Sequence, residues 1–192
     1  MEEAIANSFA EQLSGFRELD PDINLQQNTY SEYHNENSFN VLVKNNHINE
    51  NNFSMTFLNI RSASKNLESF QYYLNNLNIN FSIIGLAETW FSQDYGYLCH
   101  VPNYNSHFLN RRNRHGGGVG LLVSDLLSFK HRSDLDLLNE YIECTFIEIV
   151  HSTINSHKPL IGIIYRPPNT DCNIFLVHLE ETLNKIRSES KT

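Results

Sequence analysis

The stretch Ser82-Ile83-Ile84-Gly85-Leu86-Ala87-Glu88-Thr89-Trp90-Phe91 constrains the fold of this chain more than any other. An apolar run stops abruptly on a single carboxylate. Short apolar runs ended by a polar break read as buried strands. An acid at the end of such a strand is costly unless a cation or a hydrogen-bond donor satisfies it. A cap, or a surface Glu just past the strand, is the other reading these residues allow. The neighbouring elements weigh against that second reading.

Upstream, Phe53-Ser54-Met55-Thr56-Phe57-Leu58-Asn59-Ile60 reads as a strand. Ser64 is placed to cap a helix whose Leu67, Phe70, Leu74 and Leu77 follow at helical spacing. A second strand covers Phe81–Leu86. Strand, helix, strand in this order favours a crossover within one sheet. Further strands are expected near Tyr104–Leu109, over Val119–Ser124, over Tyr141–Val150 and over Leu160–Tyr165. In Tyr141–Val150, Ile142, Cys144 and Phe146 alternate with Glu143, Thr145 and Ile147, the period of a strand covered mainly on one side. Pro167-Pro168 end the last strand, since proline cannot donate to a ladder. Thr170 or Asp171 can then cap a helix with the apolar stripe Phe175, Leu176, Leu179, Leu183 and Ile186.

Residues 1–52 differ from the rest. Ile5, Phe9, Leu13 and Phe16 sit at helical spacing, and beyond Asp20-Pro21 the chain is polar and rich in Asn and Gln. This segment is expected to be a largely disordered leader with a short helix, because it offers little apolar surface to offset ordering entropy. Residues 53–192 are expected to carry the folded domain.

The 192 residues suffice for one domain with a core. A net charge of −8 argues against a broad nucleic-acid-coating surface, whose affinity would come from Lys and Arg neutralising phosphates. A local basic patch remains open, and Arg111, Arg112 and Arg114 on one loop are its candidates for DNA-backbone contact. A solvated turn explains them equally well. Cys99, Cys144 and Cys172 are odd in number and form no Cys-x-x-Cys pair, so they suggest neither a zinc site nor a disulfide framework. The N-terminus lacks the pattern of a signal peptide, and no apolar run reaches bilayer length. A nuclear or cytoplasmic protein, neither secreted nor membrane-bound, is the expectation. Gly116-Gly117-Gly118-Val119-Gly120 lacks the Gly-Lys-Ser/Thr ending of a Walker loop and leads into a strand. It reads as a turn needing close backbone approach or positive φ.

Asn59, Glu88 and Tyr165 fall at strand ends, with Asn169 shortly after. Ligand sites commonly collect where strands of a layered sheet end. One carboxylate among amides suits a hard cation such as Mg²⁺, which keeps several waters. The ordered segments Leu58-Asn59-Ile60-Arg61-Ser62, Gly85-Leu86-Ala87-Glu88-Thr89-Trp90, Gly117-Gly118-Val119-Gly120 and Ile164-Tyr165-Arg166-Pro167-Pro168-Asn169 closely resemble the endonuclease/exonuclease/phosphatase superfamily. Within it they are most similar to the AP-endonuclease-like domain of LINE-type non-LTR retrotransposons. The resemblance covers about Asn52 to Arg187.

The resemblance implies an α/β (α+β) fold, the N-terminal part of a four-layered αββα sandwich. It also implies nicking of DNA with Mg²⁺ or Mn²⁺, alongside a reverse transcriptase domain in a full-length element. It assigns metal binding to Glu88 with Asn59, contact near the scissile phosphate to Tyr165, and a supporting role to Asn169 after an extra proline. The family's Gly-Asp-x-Asn and Ser-Asp-His segments are absent; Ser124-Asp125-Leu126 and Ser133-Asp134-Leu135 lack the His. The expectation is therefore a truncated endonuclease domain that is weakly active or inactive, with much of one sheet left without a partner layer and its face exposed. A non-catalytic nucleic-acid-binding or interaction fragment of the same half-fold is the alternative. A phospholipid or inositol phosphate substrate fits the superfamily but is less consistent with the context of Glu88 and the Tyr165 segment.

Overall fold

The computed structural model describes residues 53–77, 79–91, 100–111, 116–151 and 159–189. The expected leader, with its helix at Ile5–Phe16, lies outside them, as do Arg112 and Arg114. The chain divides into two compact units, and the larger one, Phe53–Leu67 with Phe81–Thr192, holds both sheets.

The first sheet contains β1 (Met55–Asn59), β2 (Ile83–Ala87), β3 (Tyr104–Leu109) and β4 (Val119–Ser124), in the order β1-β2-β4-β3. Helix α1 (Ala63–Asn76) connects β1 to β2, which pair in parallel as the strand–helix–strand pattern requires. Ser64 lies inside α1 rather than at its cap. The helix starts two residues earlier than a Ser64 cap would set, because the Ser62 carbonyl already accepts from the Lys65 and Asn66 N–H groups. Tyr73 is buried on α1 along with Phe70 and Leu77, while Leu67 and Leu74 are only half-buried.

The second sheet is built on β7 (Glu143–His151). It pairs with β5 (Ser128–His131) and β6 (Leu137–Leu138), and antiparallel to β8 (Leu160–Tyr165). A single 3₁₀ turn, Ser133–Leu135, joins β5 to β6. These short pieces left no periodic trace in the sequence. Helix α2 (Cys172–Glu189) follows Asp171, whose Oδ1 accepts from the Asn173 N–H at 2.8 Å. The result is an α+β architecture.

The inner faces of the two sheets meet in one cluster. Ile83, Val119, Leu121 and Val123 of the first pack with Ile147, Ile149 and Ile163 of the second. The outer face of the second sheet is also covered, because Leu135, Ile142, Cys144 and Phe146 pack against Phe175, Leu179 and Ile186 of α2. The strand at Tyr141–Val150 is thus enclosed on both faces rather than one. The face carrying Glu143, Thr145 and Ile147 looks outward in sequence because its first two residues are polar, yet it is the inter-sheet face. In α2 the buried seam runs through Thr182 rather than Leu183. Leu176 and Leu183, expected in the stripe, are half exposed. The Thr182 hydroxyl is satisfied by donating to the His178 carbonyl at 2.9 Å.

Met55 and Phe57 are 51% and 52% exposed, although their register with Ile83 and Gly85 puts them on the inter-sheet face. The second sheet does not reach far enough to cover β1.

Two described cysteines differ sharply. Cys144 is buried, and burial pushes its thiol up to about 11, whereas Cys172 is exposed. Because the thiolate is the nucleophile, Cys172 should alkylate at pH 8 at least about a hundredfold faster than Cys144. The Cys144 rate should climb as pH rises toward the raised value. Peptide mapping after timed iodoacetamide exposure reads both sites. Comparable rates in the folded protein would contradict the burial of β7.

Candidate functional site

Glu88 follows the last residue of β2 in a left-handed backbone conformation, φ 54°. A non-glycine residue there carries strain, which persists when surrounding contacts over-determine it. Those contacts are visible on both sides. The Ile60 N–H donates to the Ala87 carbonyl at 3.0 Å, and the Ser62 N–H to the Glu88 carbonyl at 2.9 Å. On the other flank the Thr89 and Trp90 N–H groups donate to the Gly118 and Gly117 carbonyls. Pairing with β1 and β4 thus continues past the strand ends and turns the Glu88 side chain out of the pleat.

Two groups distant in sequence converge on one carboxylate oxygen. Asn59 Nδ2 donates to Glu88 Oε1 at 2.8 Å, and the Tyr165 hydroxyl donates to the same atom at 2.9 Å. The Asn59 amide is itself oriented, since its Oδ1 accepts from the Arg61 N–H at 3.3 Å. Among the described residues nothing donates to Glu88 Oε2. Asn59, Glu88 and Tyr165, chosen from sequence, are therefore brought together. Asn169 is exposed, with φ 64°, and makes no hydrogen bond to the Glu88 carboxylate.

Beside this trio lies a residue the sequence reading missed. Glu143 opens β7 and pairs across the ladder with Tyr165, so the two share the inter-sheet face. It is fully buried. Arg111 pairs with its Oε1, and the Gly118 N–H donates to its Oε2 at 2.6 Å. Burial raises the Glu143 pKa, while the Gly118 N–H and the Arg111 charge oppose the rise. Glu88 adds a second negative charge that raises it further. Arg111 was expected on a solvated turn or at the DNA backbone; instead its guanidinium is turned inward onto Glu143. A signal for Glu143 did exist: an acid in phase with Ile147 on an alternating strand.

The glycine run has a clear physical reason at two positions. Gly117 and Gly118 take φ of 70° and 85°. A Cβ at Gly117 would collide with the Arg111 guanidinium and the Glu143 carboxylate, and one at Gly118 with the Thr89 hydroxyl. The backbone passes close enough for the Gly118 N–H to reach Glu143 only because no side chain intervenes.

Tyr165 is held in its protonated form. Burial raises its pKa first, then its hydrogen bond to Glu88, then the charges of Glu88 and Glu143. It therefore remains a donor throughout the ordinary pH range. The assembly can present one oriented carboxylate oxygen to a ligand at the strand ends.

No protein-family model matches this chain, and no curated protein matches it. Among the described residues, the one grouping of three His, Cys, Asp or Glu side chains close enough to share an ion is His107, His131 and Asp136, which excludes Glu88. No helix among them is long and apolar enough to cross a membrane.

Proposed function

We propose that Asn59, Glu88 and Tyr165 form the metal-holding part of a Mg²⁺- or Mn²⁺-dependent phosphodiesterase centre acting on DNA, of the retroelement endonuclease type the sequence resembles. The observation that supports this best is the convergence of Asn59 Nδ2 and Tyr165 OH on Glu88 Oε1, across 29 and 77 residues of chain.

The donor set fits such an ion. It is a hard carboxylate oxygen, held by a neutral amide and a phenol, with the second oxygen facing no described donor. Mg²⁺ is commonly bound through one or two carboxylates while retaining several waters. When bound, the ion would polarise a phosphate oxygen and stabilise charge on the leaving oxygen. Glu88 would hold it through Oε2. Asn59 and Tyr165 fix the carboxylate orientation by donating to Oε1. Glu143 stands beside Tyr165 on the second sheet, and Arg111, which follows β3 of the first sheet, pairs with Glu143.

The sequence contains no Gly-Asp-x-Asn or Ser-Asp-His segment to orient and deprotonate an attacking water. General acid–base help is worth about 10²–10⁴-fold, so nicking by this chain is proposed to be at or near background.

Two measurements on the full chain test the reading. Mn²⁺ binding, followed by electron paramagnetic resonance, should be weak, displaceable by Mg²⁺ and lost in Glu88→Ala. Equal Mg²⁺-displaceable binding by the variant would overturn the metal assignment. Relaxation of supercoiled plasmid with Mg²⁺ should be slight. Robust nicking abolished by Glu88→Ala would show that the chain holds a complete centre.

A further inference from the structure

A second cluster lies further along β7, at the β3 edge of the first sheet. His107 lies on β3 of the first sheet, in register with Leu121. His131 ends β5 of the second sheet, in register with Ile147. Leu121 and Ile147 are both in the inter-sheet core, so both imidazoles face that space. Asp136 follows the 3₁₀ turn Ser133–Leu135. One donor atom from each of the three side chains lies within 4.8 Å of the others. The two rings are 3.8 Å apart between centroids, tilted by 41°.

The carboxylate is already aimed. The Thr145 hydroxyl donates to Asp136 Oδ1 at 2.7 Å, while Oδ2 lies 2.8 Å from His131 Nε2. Thr145 also contacts His107 Nε2 at 3.1 Å, so one hydroxyl on β7 orients groups from both sheets. Orienting partners of this kind characterise metal ligands. The site is not sealed: the side chains of His131 and Asp136 are 31% and 16% exposed, which gives an ion a route in and leaves room for water.

We infer that His107, His131 and Asp136 form a binding site for a divalent transition-metal ion of the Zn²⁺ class, separate from the Glu88 centre, that staples the edge of the first sheet to the second. Two imidazoles and one carboxylate select Zn²⁺ or Co²⁺ over Mg²⁺ and Ca²⁺, which prefer all-oxygen sets. Ligand bonds of about 2.0–2.2 Å require donors about 3.5 Å apart, so the 2.8 Å His131–Asp136 pair opens slightly while separations of up to 4.8 Å within the cluster close. On binding, the His131–Asp136 hydrogen bond is replaced by two bonds to one ion. The imidazole proton moves to Nδ1, and the Nε2 lone pair and the Oδ2 atom meet at the metal. Water completes a four-coordinate shell. None of the three ligands hydrogen-bonds to Glu88 or Glu143, so the site does not rest on the proposed phosphodiesterase reading.

The test uses the full chain after chelator dialysis. Calorimetry with ZnCl₂ should show one ion bound per chain, and the thermal midpoint should rise with Zn²⁺ but not with Mg²⁺. Co²⁺ should give the intense visible bands of a tetrahedral site. His107→Ala, and separately the near-isosteric Asp136→Asn, should each weaken Zn²⁺ binding by more than about tenfold and remove the Co²⁺ bands. A wild-type chain that keeps Co²⁺ in its pale octahedral form would overturn the site whatever the variants do. So would Zn²⁺ affinity that survives Asp136→Asn in a variant whose circular dichroism matches wild type.

Discussion

Replacing Arg111 by alanine is expected to destabilise the protein by about 3–5 kcal/mol at pH 8, because it leaves the fully buried Glu143 carboxylate without its counter-ion. The Gly118 N–H would remain as a donor to Oε2, but one neutral donor does not balance a charge taken out of water. The loss should shrink toward pH 5. Glu143 already has a folded pKa raised above the ordinary 4.5 by burial, and removing the Arg111 charge raises it further. The folded state then binds the proton more tightly than the unfolded state does. Stability contributed by the protonated form is present at low pH and is lost as pH climbs through the raised value. Urea midpoints at the two pH values measure the difference. The double variant Arg111→Ala/Glu143→Gln should recover most of the loss, since the charge is removed with its partner. A single variant as stable as wild type at pH 8 would show that the pair is not buried as described.

Ile163→Ala is expected to cost about 2–5 kcal/mol, the range for removing a buried isoleucine side chain, against about 0.5–1.5 kcal/mol for Ile163→Val. Ile163 is buried in the inter-sheet cluster, and its Cδ1 lies 3.3 Å from where a Gly85 side chain would begin. Tyr165 is two residues further along the same face, and its bond to Glu88 depends on that approach. The truncation should therefore lower the denaturation midpoint and also weaken Mg²⁺-displaceable Mn²⁺ binding. Ile163→Val should leave the metal readout near wild type. If alanine lowers stability with no change in Mn²⁺ binding, the sheet approach does not position Tyr165.

Much of the fold is legible because its strands are apolar runs with clear stops. β2 is buried at all five positions, and its sequence shows this as an unbroken run. β3, β4 and β8 coincide with the stretches read from the chain. β5, β6 and the 3₁₀ turn escaped because two to four residues are too few to show a period. The α2 stripe was drawn through Leu183 on hydrophobicity, whereas the face that α2 turns to the sheet, with Phe175, Leu179 and Ile186, puts Thr182 in the seam. A sequence cannot reveal that choice of face.

The site divides in the same way. Strand-end position alone left Asn59, Glu88 and Tyr165 open to a bland reading; the resemblance carried by their flanking segments singled them out. The sequence also marked the glycine run as a place of unusual backbone. Only the tertiary structure decided that Arg111 turns inward, that Glu143 stands beside Tyr165, and that His107, His131 and Asp136 meet. These pairings join separate strands, and in the last case two sheets. Local pattern records which residues share a face of one strand; which face of another strand comes opposite is set by sheet order, register and packing. Those arise from burying the whole inter-sheet core at once.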